Sequence, residues 1–289
     1  MSESTTTTAA SDRSRFRRFP ASARVGGIIL LAMVIVAATG HLWAPYAPGR
    51  IMSGRPFEAP SFAHILGTDN LGRDVFSRVV IGSRPVMLMA ISAAAIATLF
   101  GSAIALILSL YRGMVDEIGM RILEVLASIP PIVLALLLIS ALGNSSTLIV
   151  LTVAFLFVPR IARVVRAGAL AVVREDFVTA AITRGESMAS IAAREVLPNV
   201  LGTVMVEFAI RCGFAIVFIG ALGFLGFGAP PPAPEWGLMI NEGRAHITAS
   251  YWPVVAPAGA MAVLVIAVSL FTDGLARMVG ETGVPMRAS

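Results

Sequence analysis

Long stretches without a charged side chain alternate with short polar interludes along this chain. Val25–Gly49, Pro85–Tyr111 and Ala245–Thr272 contain no Asp, Glu, Lys or Arg. Each holds the ~20 apolar residues that a helix needs to cross a ~30 Å hydrocarbon layer. The run from Val125 to Pro159 is also uncharged. As one helix it would measure about 50 Å at ~1.5 Å per residue, too long for a single crossing. "GNSS" at Gly143–Ser146 supplies turn residues. The pattern therefore predicts two helices there, near 123–142 and 148–168, and another near 199–222. The expected fold is all-α: a polytopic membrane protein with six transmembrane helices.

The first apolar stretch outlasts the ~7–15 residues of a signal-peptide core, so it is read as a true span. Before it, residues 1–22 are polar and Thr-rich and predict a flexible tail. The polar interludes then divide residues 23–289 into a first outer loop at about 45–84, a cytoplasmic segment at about 170–198 and a second outer loop at about 223–252.

The cytoplasmic segment is the unusual one. Glu175–Arg184 has helical character, and Gly185 suits the left-handed position that ends a helix. Ser187 suits the N-cap of a second short helix, which Pro198 is expected to stop. Ala180 and Ala181 are small enough for another surface to approach the backbone. Phe177, Ile182, Met188 and Ile191 offer apolar contacts, with Glu186, Arg194 and Glu195 as a polar rim. Two readings of this bent helix pair stand: a linker between spans, or a rigid element that docks a cytoplasmic partner.

Composition supports a bilayer environment: 57% of the 289 residues are hydrophobic and only 13% charged. All 22 basic residues are arginine, and there is no lysine. A P-loop requires a lysine at the phosphates and a pyridoxal-phosphate enzyme one for its Schiff base, so this chain does neither chemistry. The single Cys212 rules out an intramolecular disulfide, and His41, His64 and His246 are too dispersed to suggest a metal site. A net charge of +5 raises nucleic acid as a partner, but the arginines follow topology instead. With both termini cytoplasmic, 15 arginines lie inside and 6 outside, with Arg211 inside a span. Arg160, Arg163 and Arg166 are expected to snorkel into headgroups, and Trp43, Trp236 and Trp252 to lie at outer helix ends.

"AAITRG", nine further residues and then "EVLP" resemble the EAA motif of membrane subunits of bacterial ABC importers. The matching positions are Ala180, Ala181, Gly185, Leu197 and Pro198, while Thr179 and Glu195 depart from the motif. Four more motifs appear in the same family's order: "HILGTDNLGRDVFSR" (64–78), "YRGMVDEIGMRILEVLASIP" (111–130), "FLGFGAPPPAPEWGLMINEGR" (224–244) and "TDGLAR" (272–277). Glu124 and Gly220 are departures within this wider resemblance. Together they are similar to the second permease subunit of the dipeptide/oligopeptide/nickel branch. The resemblance implies a type I importer permease fold in the bacterial inner membrane. It also implies a homologous second permease, two ATP-binding subunits and an extracytoplasmic solute-binding protein as partners. ATP and Mg would be used by the ATPases, with no cofactor bound by this chain.

The outer motifs also have structural readings. Asp69–Arg73 and Asp74–Arg78 have i,i+4 spacing, and such exposed pairs stabilise a helix by about 0.2–0.5 kcal/mol. Thr68 or Asp69 could cap that helix, and Glu235 with Trp236 could anchor the proline-rich loop at the interface. Glu207 and Arg211 are the one ionisable pair well inside a predicted span. An arginine at midplane costs about 2.5–3.5 kcal/mol on insertion scales, so this pair is expected to line a pathway or a subunit interface, or to brace the fold. An ion-coupled secondary transporter is the main rival function, and nickel chelates or other non-peptide solutes are alternative cargo. A membrane enzyme would need a convergent catalytic set, which the sequence does not offer.

Overall fold

The computed structural model describes residues 20–111 and 113–282. Ten helices account for most of them: α1 (Ala21–Trp43), α2 (Val75–Leu110), α3 (Met114–Ser128), α4 (Pro131–Leu142), α5 (Ser146–Val172), α6 (Asp176–Thr183), α7 (Met188–Ile191), α8 (Leu197–Phe224), α9 (Trp236–Arg244) and α10 (Trp252–Thr282). Residues 1–19 of the expected tail lie outside the described residues, and Ala21 already begins α1.

Five helical segments are long and apolar enough to cross a bilayer: α1, α2, α5, the α7–α8 run and α10. α3 and α4 meet that test only when taken together, and they are bent by 85° at the break between them. The sequence reading of one helix at 123–142 is therefore corrected. Pro130 forces Ile129 out of the helical region to an extended ψ of 130°, and Pro131 starts a new helix at its first turn. α2 begins ten residues before Pro85, so its first turns project beyond the uncharged stretch.

Small residues let the spans approach closely, as bilayer packing requires. The α2 face built from Ala90, Ala93, Ala94, Ala97 and Ala105 is buried against the rest of the bundle. A Cβ on Gly101 would lie 2.8 Å from Cβ of Ile161 on α5. α1 is attached mainly to α10, where a Cβ on Gly26 would lie 2.6 Å from the Phe271 nitrogen.

One predicted helix stop is absent. Pro198 does not end the helix after Ser187; it sits in the first turn of α8, and the chain runs on without a break to Phe224. Proline lacks an N–H and crowds the carbonyl four residues back. A π turn over Ala192–Val196 absorbs that conflict, with the Leu197 N–H donating to the Ala192 carbonyl.

Candidate functional site

The segment between α5 and α8 folds into a capped elbow. Asp176 lies in the first turn of α6, where a negative charge suits the helix dipole. At the other end, the Gly185 N–H donates to the Ile182 carbonyl at 2.9 Å and the Glu186 N–H to the Ala181 carbonyl at 3.2 Å. This is a Schellman closure, and Gly185 takes the left-handed φ of +79° that it demands. Ser187 then caps α7 by accepting from the Ser190 N–H at 3.3 Å. Arg184 and Glu186 form an exposed ion pair at 2.7 Å across the corner.

The elbow has two distinct sides. Val178, Ala181, Ile191 and Val196 are fully buried against the bundle. Phe177, Ile182, Ala180 and Gly185 face outward, with Phe177 and Ile182 40% and 45% exposed. Ala181 and Ile191, expected on the contact face, thus belong to the inner one. Leu197 is half-buried and Pro198 exposed at the start of α8.

Further along α8, Arg211 donates to Glu207 Oε2 through Nε at 3.1 Å and Nη2 at 2.8 Å. Both residues are buried, and the guanidinium lies over the rings of Phe157 (5.8 Å) on α5 and Phe214 (5.5 Å) on α8. The i,i+4 geometry read from the sequence is present, and its charge is turned towards protein.

At the end of α8 away from the elbow lies a polar lock that the sequence spacing misassigned. Arg73 does pair with Asp69 at 2.6 Å, but the pair is buried. Asp74 does not pair with Arg78. Its Oδ2 caps α2 by accepting from the Ser77 N–H at 2.8 Å, and its Oδ1 contacts His64 Nδ1 at 2.9 Å. Arg78, 1% exposed, donates instead to Glu242 on α9 at 3.2 Å, and Arg73 donates to the same carboxylate oxygen at 2.6 Å. These contacts hold the 44–74 connection onto α2 and α9.

Two further expectations are corrected nearby. Trp236 is fully buried and donates from Nε1 to the Val79 carbonyl at 3.0 Å, so it is no interfacial anchor. Glu235, 1% exposed, is the cap of α9, accepting from the N–H groups of Gly237 and Leu238 at 2.8 and 2.9 Å. Burial pushes the Glu235 carboxyl above its ordinary range, partly opposed by those two N–H groups. Arg166 is likewise not a headgroup snorkel; its Nε donates to Asp116 of α3 at 2.6 Å. No cluster of His, Cys, Asp and Glu among the described residues could hold a metal ion.

Residues 97–281 match the model of the binding-protein-dependent transport system inner membrane component family. The chain belongs to that family. This permease is a multi-pass inner-membrane subunit of an ABC importer, a class of subunit that does not itself hydrolyse ATP and works in a complex with ATPase subunits. It is 34% identical over 266 residues to the glutathione transport system permease protein GsiD of Pectobacterium atrosepticum, covering 91% of this chain and 88% of that protein. GsiD of Escherichia coli O1:K1 is 35% identical over 262 residues, covering 90% and 86%. Among solved structures, a chain of the inward-facing MetNI methionine ABC transporter superposes with a TM-score of 0.58 at 16% identity, covering 70% of this permease and 96% of that chain. A second crystal form of MetNI gives 0.57 at 19% identity. The solved structures bear on the fold alone.

Proposed function

We propose that this permease forms half of a translocation pathway for peptides or peptide-like solutes. In this reading it has six spans with both termini cytoplasmic. A homologous second permease supplies the other half, and two ATP-binding subunits and an extracytoplasmic solute-binding protein complete the importer. ATP and Mg act on the ATPases, and this chain binds no cofactor. The glutathione permeases among its relatives support peptide-like cargo over nickel chelates.

The 170–198 segment is the cytoplasmic coupling element. Ala180 and Gly185 form its outward surface, Ala181 seats it against the bundle, and Leu197 and Pro198 join it to α8. One observation carries this reading. The elbow is capped on both sides of Gly185 and runs into a span without a flexible joint, the π turn included. A push on α6 therefore becomes a displacement of α8. The segments at about 45–84 and 223–252, at the other end of α8, face the binding protein. Glu207 and Arg211 lie on the pathway or against the second permease.

The test is assembly. Gly185→Pro demands a φ near −65° where the backbone holds +79°, so it should abolish co-purification of the ATPases while the two permeases still associate. Retained ATPase binding together with full uptake would refute the coupling role. Thiol labelling from each side, with single cysteines at Ala180 and Phe62 in a Cys212→Ser background, tests the orientation.

A further inference from the structure

The hydrogen bonding of the Glu207–Arg211 pair is incomplete for a buried ion pair. Both guanidinium N–H contacts converge on Oε2. Neither Glu207 Oε1 nor Arg211 Nη1 takes a hydrogen bond among the described residues, and neither belongs with the sealed, unpartnered polar atoms, which are on Ser22, Thr98 and Ser102, so both reach accessible space. A buried pair that serves only to brace the fold offsets its desolvation by satisfying the remaining lone pairs and protons. This one keeps one acceptor oxygen and one charged donor in reserve.

The surroundings say what the reserve faces. On one side, Phe157 of α5 lies under the guanidinium. On the other, Phe214 lies over it and also lines a groove of about 310 Å³ between α8 and α10. Phe214 is 54% exposed, and its ring stands between the guanidinium and the groove. The rest of that groove is mostly apolar, with Ser269, Thr272 and Asp273 at one end. The pair also lies on the helix that the elbow continues into.

We infer that Arg211 and Glu207 form a transient binding site for the charged backbone ends of a passing solute. The Arg211 guanidinium receives a carboxylate through Nη1, and the free Oε1 of Glu207 receives an ammonium group. A planar guanidinium suits a carboxylate, to which it presents parallel N–H donors. When the pathway is empty, Glu207 serves as the counter-ion that makes the arginine tolerable in the bilayer. Rotation of Phe214 opens the site as α8 moves. This inference rests on the proposed function, because it places α8 along the pathway, and it adds the chemistry of the contact.

Two measurements on the complete reconstituted importer decide it. In a Cys212→Ser background, Glu207→Gln/Arg211→Cys is treated with a water-soluble sulfonate methanethiosulfonate. Modification should be at least 10-fold faster in one of two states, nucleotide-free or vanadate-trapped, than in the other. No modification in either state, or modification by a lipid-soluble reagent alone, overturns the site. Uptake is then compared for two dipeptides with uncharged side chains and for their C-terminal amides. Arg211→Gln should raise the half-saturating concentration of the free acids about 10-fold and leave that of the amides unchanged, with partial rescue by Arg211→Lys. An equal loss for acids and amides means a structural pair and overturns the inference. The Glu207→Leu/Arg211→Met double variant controls for folding; uptake in it that still favours acids over amides also overturns the site. Absence of ATP-dependent uptake of all four probes by the wild-type importer counts against the proposed solute class, while the thiol-modification result still decides the site.

Discussion

Arg73 and Glu242 meet at 2.6 Å although 169 residues separate them in sequence. The contact joins the connection before α2 to α9, and Arg78 converges on the same carboxylate oxygen. Both arginines are almost fully buried, whereas the Glu242 side chain is 22% exposed. Removing one partner of a buried ion pair costs about 3–5 kcal/mol, because the remaining charge is stranded. Partial exposure of Glu242 and the retained Arg73–Asp69 contact place Glu242→Ala near the lower end, at about 3 kcal/mol. The buried Cys212 is a ready reporter, since unfolding should sharply raise its rate of reaction with a thiol-reactive fluorophore. The variant should lower the midpoint by several degrees; an unchanged midpoint would show that the lock is not stabilising.

Gly185 admits a graded test that separates backbone strain from lost contact. A Cβ there would meet nothing within 4 Å, so any cost of Gly185→Ala comes from its left-handed φ. That conformation costs a non-glycine residue about 1–2 kcal/mol, and asparagine tolerates it better than alanine. Stability and ATPase coupling should therefore fall in the order Gly, Asn, Ala, Pro. Uptake per ATP hydrolysed is the measurement, and an alanine variant indistinguishable from wild type would show that the left-handed corner is dispensable.

Glu235 makes a pH signature. Its folded-state pKa lies above the ordinary 4.5 because of burial. Between those two values the folded chain binds more protons at this site than the unfolded chain. Stability from this group is therefore greatest at low pH and falls as pH rises through the window. Glu235→Gln removes the titration, so wild-type stability relative to this variant should decline as pH is raised from about 4.5. Thermal unfolding of both proteins across that range checks it, and a wild-type advantage that grows with pH would contradict the assignment. Loss of one acceptor for the Gly237 and Leu238 N–H groups shifts the two curves by a pH-independent amount.

What was legible in the sequence follows from the range of each interaction. Charge-free windows locate helices because hydrocarbon tolerates little else, and the elbow was readable because Gly185 and Ser187 cap helices through bonds spanning only a few residues. The same local logic misled at Asp74 and Arg78. Their i,i+4 spacing suits a helical pair, yet Asp74 is the residue that starts the helix, and Arg78 turns to a carboxylate on α9. Pro198 misled because a proline in the first turn of a helix is as acceptable as one after its end, and only the π turn distinguishes them. Glu235 is a long side chain at a cap position that usually takes Ser, Thr, Asp or Asn. The Arg73–Glu242 and Arg166–Asp116 contacts bridge separations of 169 and 50 residues, for which a single sequence holds no register.

The α2–α5 seam offers the sharpest test of how these spans hold together. Lipid tails are as apolar as leucine, so helix association in the bilayer depends on close van der Waals contact. Gly101 provides it: a Cβ there would stand 2.8 Å from both Cβ and Cγ2 of Ile161 and 3.2 Å from the Val158 carbonyl oxygen. Ile161 is itself fully buried and stiff at its branched Cβ, so it has nowhere to move. Overpacking a core typically costs about 1–3 kcal/mol, and Gly101→Val should fall at the upper end because both neighbours are rigid. If the clash is the cause, Ile161→Ala placed on top of Gly101→Val should recover part of the loss, since alanine removes Cγ2 but keeps Cβ, although Ile161→Ala alone destabilises. A double-mutant cycle read by thermal unfolding gives the answer. Additive losses would mean that the two helices already separate at this point and that their contact does not hold the seam.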